Sequence, residues 1–568
     1  MCRIMKRIIT VLLCIVSTMS FVSCSLEDKS FTNVDMATYM EDAAQAESVL
    51  MGVYNQMTKD GLYSLCLSSL FTMPTDLAKP EGASTVGMRE QSNNAFSTTD
   101  LYVQTMWQTL YQSIYYANNF LEAIEAKIEG FSENDQQRGL VYIAEAKALR
   151  ALFYFELVRW YGNIPLITKT SQSANETRSF KQEDPVKVYE FIERDLLDAI
   201  DILPYATADN VRSNNSYRFS KGAALGLLVK VYATWAGYPL QDTSKWESAA
   251  AVAEELINSG KHKLLPSYKT LWENAGASVW NPDESLIEVS FWSPQSTNSS
   301  SGRIGKFNGV IAETGSIKGT MNTAFVRCQP TFLANWKDYD KDQRWALTFA
   351  DYKYTNLNGK TGIVSAKIDG ETTHVTFAMA MDDSHPNWTA DWRRYYSYQL
   401  TPSKWDTEIY VPDTYQLQDN NRSNVNWYVL RYSDVLLLYA EAINEIHGPN
   451  QDAYKYLNMV RRRAFGNDVN ASSNADLSGF TQEEFRQAIR DERAYELAFE
   501  GHRRQDLIRW GIYAETIENT YQGLMSWHET APDYFIAVDY TRKNKHELLP
   551  IPQREVDLCG FSQNLGWK

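Results

Sequence analysis

The sequence predicts a mainly α-helical protein built from tetratricopeptide-like helical hairpins, with long irregular insertions and a few short strands. Three observations predict it. Long segments carry apolar residues at helical spacing, these segments fall in neighbouring pairs rich in Ala and aromatics, and the aromatic-rich stretch between two such groups lacks that period.

The elements follow in chain order. Residues 101–127 repeat apolar positions at Met106, Leu110, Ile114, Ala117 and Leu121, one face of a helix. Residues 144–167 are apolar nearly all round, with Glu145, Glu156 and Arg159 as the main polar stripe, so neighbours must cover most of this helix. Gly162 and Pro165 end it. Further helices are expected at 185–203, 221–236 and 244–259, then at 430–447, 450–465 and 481–500. The Ala-rich segments near 148 and 226 lie about 78 residues apart, roughly two 34-residue repeats plus an insertion. The expectation is a helical solenoid wrapped by insertions. Residues 262–425 break the pattern, with strand-like runs at 285–292 and 374–381 among many Trp, Tyr, Asn, Ser and Gly. Long loops on a rigid scaffold are where binding concentrates.

Composition narrows the function. Arg3, Lys6 and Arg7 precede an almost uncharged run from Ile8 to Val22, the layout of a secretory signal peptide. That run is shorter than the roughly 20 residues a membrane-spanning helix needs. Without residues 1–23 the chain holds 52 Lys+Arg against 70 Asp+Glu, a formal charge of −18. Such a surface repels phosphate backbones, so no nucleic-acid partner is expected. Cys66, Cys328 and Cys559 leave room for one disulfide but show no metal-ligand spacing.

Chemical motifs are scarce. Glu492, Glu496 and Glu500 stand four apart on one helical face, and Arg493, Arg503 and Arg504 are within reach, so structural ion pairs are the expectation. "DYDKDQR" at 338–344 spaces three Asp like the start of a calcium loop, but Gln343 replaces the turn glycine and Phe349 the closing carboxylate. A turn tied by Arg344 is expected instead. The seven histidines never fall in a ligand pattern, and no nucleophile elbow, phosphate loop or zinc helix appears. No metal, cofactor or catalytic residue is therefore assigned.

The aromatic supply remains: 16 Trp, 34 Tyr and 23 Phe. A ring outside a helix, flanked by small polar residues, can stack on the C–H face of a sugar while amides and carboxylates take the hydroxyls. Phe96 in "NNAFSTTD", Trp292 in "WSPQSTNSSSG", and Trp388 and Trp392 in "HPNWTADWRR" meet that description.

Four segments resemble the signatures of the SusD/RagB family: "AEAKALRALFYFELVRWYGNIPLI", "YSDVLLLYAEAINEI", "RDERAYELAFEGHRRQDLIRWG" and the closing "LLPIPQREVDL" followed by "SQNLGW". The resemblance runs along the whole mature chain. It implies a SusD-like α/α superhelix and an outer-membrane lipoprotein exposed on the surface of a Gram-negative bacterium. It also implies binding of a nutrient, most often an oligosaccharide, and capping of a SusC-like TonB-dependent transporter. Cys24, preceded by Ser23, resembles the lipidated cysteine of a lipobox, and Glu27 and Asp28 resemble a surface-export signal. By the same resemblance Asp76 and Trp292 are carried over as ligand contacts.

The expected organisation is a signal peptide (1–23), an anchor, tether and first helix region (24–100), and a helical region (101–261). An irregular ligand-binding insertion (262–425) and a second helical region (426–568) complete one compact unit. The expected function is capture of a glycan, with a peptide as the alternative ligand. A surface glycosidase or a protein-interaction scaffold are the alternatives of another class.

Overall fold

The computed structural model describes residues 39–170, 174–208, 212, 214–293, 301–313, 321–356, 359–416, 419 and 421–568. The signal peptide, Cys24, Glu27 and Asp28 lie outside them.

The helical stack is built from α1 (Ala43–Tyr54), α2 (Leu101–Glu125), α3 (Glu133–Tyr161), α4 (Pro185–Ile202), α5 (Lys221–Ala236), α6 (Lys245–Asn258), α7 (Tyr432–His447), α8 (Gln451–Ala464) and α9 (Gln482–Glu496), with a further long helix at Tyr513–Trp527. Their starts have local causes. The Asp100 carboxylate accepts from the amides of Tyr102 and Val103, and Ser132, Asp184 and Ser220 cap α3, α4 and α5 in the same way. Pro185 fits the first turn of α4, where its missing N–H costs nothing. Thr481 and Glu484 form a reciprocal capping box on α9.

Packing runs in chain order: α2 on α3, α3 on α4, α4 on α5, α5 on α6. The stack then continues through α6 on α7, α7 on α8 and α7 on α9, across an insertion that loops out between them. One contiguous apolar core runs through the stack from Met40 to Trp567. The all-round apolar α3 is buried on most of its surface, as its composition requires. Its polar stripe is satisfied internally: Glu145 pairs with Arg212 at 2.7 Å and Arg218 at 2.6 Å, and Glu156 accepts from the Tyr63 hydroxyl at 2.8 Å. Among the described residues no helix is long and apolar enough to cross a membrane.

The insertion contributes short antiparallel ribbons. The one that positions the site pairs β1 (Ser285–Val289) with β2 (Trp427–Arg431), bringing the two ends of the insertion side by side. One expectation fails here. Residues 374–381 do not form a strand: pairing stops at His374, and Phe377–Met381 is a helical turn capped by the Thr376 hydroxyl. The run of Ala and Met prefers a helix once a cap is present, which apolar content alone does not reveal. Likewise α9 ends at Glu496, because Phe499 and Gly501 adopt left-handed backbone at φ 62° and 80°.

Candidate functional site

A set of partly exposed rings lies around the β1–β2 ribbon. Trp292, just past β1, is 46% exposed, and its ring meets Tyr415 edge-on with centroids 4.7 Å apart. Trp280, on the loop entering β1, lies 6.3 Å from Tyr217, which comes from the loop between α4 and α5. The Tyr217 phenol senses both Glu288 and Tyr415, so the two ring pairs are neighbours. Burial first, then the Glu288 charge, pushes that phenol up, and it is neutral at physiological pH.

Buried amides fix the rings. Asn424 donates to the carbonyls of Ser293 at 2.9 Å and Tyr415 at 3.1 Å, and its Oδ1 accepts the Ser293 amide at 2.9 Å. One side chain therefore ties the Trp292 loop to the Tyr415 turn. Asn426 donates to Glu288 at 2.7 Å, and the Tyr217 hydroxyl donates to the Ser278 carbonyl at 2.9 Å. Tyr217 itself is left-handed at φ 59°, a strained conformation for an aromatic. Its neighbours hold it there: Arg218 forks onto Glu145 at 2.6 and 2.8 Å, and the Phe219 amide donates to Tyr54 at 2.8 Å.

A charged flank adjoins the platform. Ser423 exchanges backbone hydrogen bonds with Gly302, a position where any Cβ would come within 2.7 Å of the Phe291 ring. Beside them Arg303 and Arg422 converge on Asp60 at 2.8 and 3.3 Å. Burial alone would raise the Asp60 pKa, but hydrogen bonds from Arg303 and Ser64 outweigh it and hold the carboxyl below its ordinary value. Flat rings beside fixed ionic and amide groups can grip a ring with hydroxyls at its edge.

The residues singled out from the sequence are dispersed. Only Trp292 sits on this platform. Asp76 forks onto Arg503 at 2.9 and 2.6 Å in a separate polar cleft of about 440 Å3. Phe96 corrects its reading: it is 5% exposed and stacked on Trp567 at 5.2 Å, because the C-terminal segment folds back over it. Trp392 is also core, 4% exposed, on the buried side of Ala390–Gln399. Trp388 is half-buried, its indole donating to the Ala380 carbonyl at 3.1 Å and the Arg393 guanidinium 5.3 Å from its ring centroid. Polar neighbours in sequence say nothing about a partner hundreds of residues away.

Tyr217, Trp280, Tyr415 and the Asp60–Arg303–Arg422 group were not anticipated. "NNSYRFS" around Tyr217 carries the same polar-flanked ring signal that singled out Phe96. The ion pairs carry no sequence signal, since their members lie far apart in the chain.

The acidic ladder is structural. Glu496 receives Arg463 at 2.6 Å, Arg431 at 2.9 Å and Arg344 at 3.1 Å, and Glu500 receives Arg431 at 2.7 Å and Lys404 at 3.0 Å. The expected partners are engaged elsewhere: Arg493 with Asp434 and Asp506, Arg503 with Asp76, Arg504 with backbone carbonyls. Arg344 does tie the 338–344 turn, pairing with Asp342 at 2.7 Å and Glu492 at 2.7 Å. Among the described residues no three His, Cys, Asp or Glu form a group able to hold a metal ion. Cys66, Cys328 and Cys559 are free thiols.

A continuous stack of helical hairpins, interrupted by one long insertion that displays a ring platform, defines the class of protein. Residues 333–567 match the model of the SusD family, and residues 26–233 match a model described as starch-binding and associating with the outer membrane. A SusD homolog of Bacteroides thetaiotaomicron with a known crystal structure is 48% identical, covering 94% of this chain and 99% of its own, with a TM-score of 0.88. A laminarin-binding SusD-like protein is 25% identical across 93% of this chain and all (100%) of its own, with a TM-score of 0.65. A SusD-like protein of Formosa agariphila is 25% identical over 95% of this chain and 94% of its own length. The chain belongs to the SusD/RagB family.

Proposed function

We propose that this protein captures a glycan at the bacterial cell surface on the Trp280–Tyr217–Tyr415–Trp292 platform and passes it to a SusC-like TonB-dependent transporter. The observation that carries the reading is the platform itself: two neighbouring ring pairs, the Trp292–Tyr415 pair tied by the buried Asn424, flanked by the Asp60–Arg303–Arg422 group. Ring faces suit the apolar face of a pyranose, and the fixed charges suit its hydroxyls. The similarity to a laminarin-binding relative supports the ligand class and supplies a first probe.

Calorimetric titration with laminarin oligosaccharides, within a panel of plant, host and microbial glycans, tests it. Saturable binding to at least one glycan is expected, weakened about tenfold by Trp292→Ala, as loss of about 1.4 kcal/mol of stacking requires. Heat from peptides and none from any glycan would overturn the reading. So would turnover of a fluorogenic glycan that one carboxylate substitution abolishes.

The same proposal makes Cys24 the lipid attachment point after cleavage of residues 1–23. Several acyl chains on one residue hold far more firmly than one, each buried methylene contributing about 0.8 kcal/mol. Cys24→Ala should release the protein from outer-membrane fractions.

A further inference from the structure

A second cleft, sharing no residue with the platform, opens where the C-terminal segment crosses α2. It encloses about 400 Å3, the size range of small-molecule sites. One wall is a ladder of rings: Trp107, Tyr111 and Tyr115 stand four residues apart on α2 and line the cleft, the first two with centroids 4.9 Å apart. The wall is fixed, because the Tyr111 hydroxyl donates to the Pro165 carbonyl at 2.9 Å and Phe561, which also lines the cleft, packs against Trp107 with centroids 6.5 Å apart. The helix Gln553–Cys559 (α10) lines the facing wall with Glu555 and Cys559.

Two charged side chains that line this cleft have no ion-pair partner among the described residues. Glu555 is half-buried and its carboxylate makes no hydrogen bond or ion pair with any described residue, although an unpartnered carboxylate against apolar surface is costly. Burial raises its pKa accordingly. Lys169 lines the same cleft at its exposed rim and makes no ion pair among the described residues. The two do not pair with each other, and the ring ladder lines the same cleft.

We propose that this cleft binds a small zwitterion with an aromatic body, such as an aromatic amino acid or a short aromatic peptide. Its ammonium group would meet Glu555, its carboxylate Lys169, and its ring the Trp107–Tyr111 ladder. A cation beside Tyr and Trp faces gains from their electron-rich π surfaces as well as from the carboxylate. The reading goes beyond glycan capture and does not depend on it.

The dipeptide Phe-Gly is the probe. Calorimetry on the full protein should show saturable binding, weakened at least tenfold by Glu555→Gln and by acetylating and amidating the two ends of the peptide. Bound dipeptide should also slow maleimide labelling of Cys559, followed by peptide mass mapping; Cys66 and Cys328 are buried and serve as internal controls. Glycan binding should be unchanged in Glu555→Gln. No binding of Phe-Gly, equal binding of the capped peptide to the wild-type protein, or protection of Cys559 by laminarin oligosaccharide instead would overturn the assignment. The capped-peptide comparison needs no variant, so it stands even if Glu555→Gln misfolds.

Discussion

Glu288 lies directly beneath the platform and is the residue whose protonation the fold alters most usefully. Its carboxyl is buried, with hydrogen bonds from the Ser285 hydroxyl and the Asn426 amide, both at 2.7 Å. Burial dominates these bonds and pushes its pKa from 4.5 up to about 7. Between those two values the folded protein keeps a proton that the unfolded chain has released. Stability contributed by Glu288 is therefore full at acid pH and is lost as pH rises through about 7. Replacing it by Gln removes this dependence. The difference in unfolding free energy between pH 5 and pH 8, measured by denaturant titration, should shrink by about 2–3 kcal/mol in Glu288→Gln.

At the scale of elements, Asn424 does for the platform what a disulfide does for a small loop. It satisfies both backbone groups of Ser293 and the carbonyl of Tyr415, and it is itself fully buried. Asn424→Ala would leave buried backbone groups unpaired, a cost of about 1–3 kcal/mol for each. Thermal unfolding should shift down, and glycan affinity should fall although all four rings are still present. Restored affinity in Asn424→Asp, which keeps the acceptor for Ser293, would be only partial, because both donated bonds are gone. Equal affinity in wild type and Asn424→Ala would mean that the rings need no such tie.

The whole molecule depends on a buried ionic lattice. Arg431 on β2 reaches Glu284 at 2.8 Å, Glu496 at 2.9 Å and Glu500 at 2.7 Å; Arg463 on α8 meets Glu284 at 3.1 Å; Lys404 and Arg344 bring in the insertion. These side chains have no solvent exposure. Burial alone would raise Glu496, yet three guanidinium groups hold it well below the usual carboxylate range. Removing one cation strands several buried anions, which typically costs 3–5 kcal/mol. Arg431→Ala should therefore lower the unfolding free energy by about that amount in guanidinium titration. Since the lattice joins the insertion to the last helices, the loss should appear as one cooperative transition rather than as release of the insertion alone.

Much of this architecture was readable in the chain. The apolar period of residues 101–127 and the all-round apolar 144–167 required helices with covered faces, although the second begins at Glu133, where Ser132 caps it, rather than at 144. Four signature segments in order pointed to the family, and the helical fold follows with it. These features are local: spacing, capping and breaking residues act over a few positions, so the sequence displays them directly. The platform is not local. Phe96 and Trp292 look alike in sequence, both rings among small polar residues, yet one is sealed under Trp567 and the other faces water. Glu496 and its three guanidinium partners are likewise drawn from separate elements. The sequence by itself located helices α2–α9 and pointed to the family. Only the tertiary structure decided which rings are exposed and which charges meet, because burial and Coulomb contact depend on distances in space that chain order does not encode.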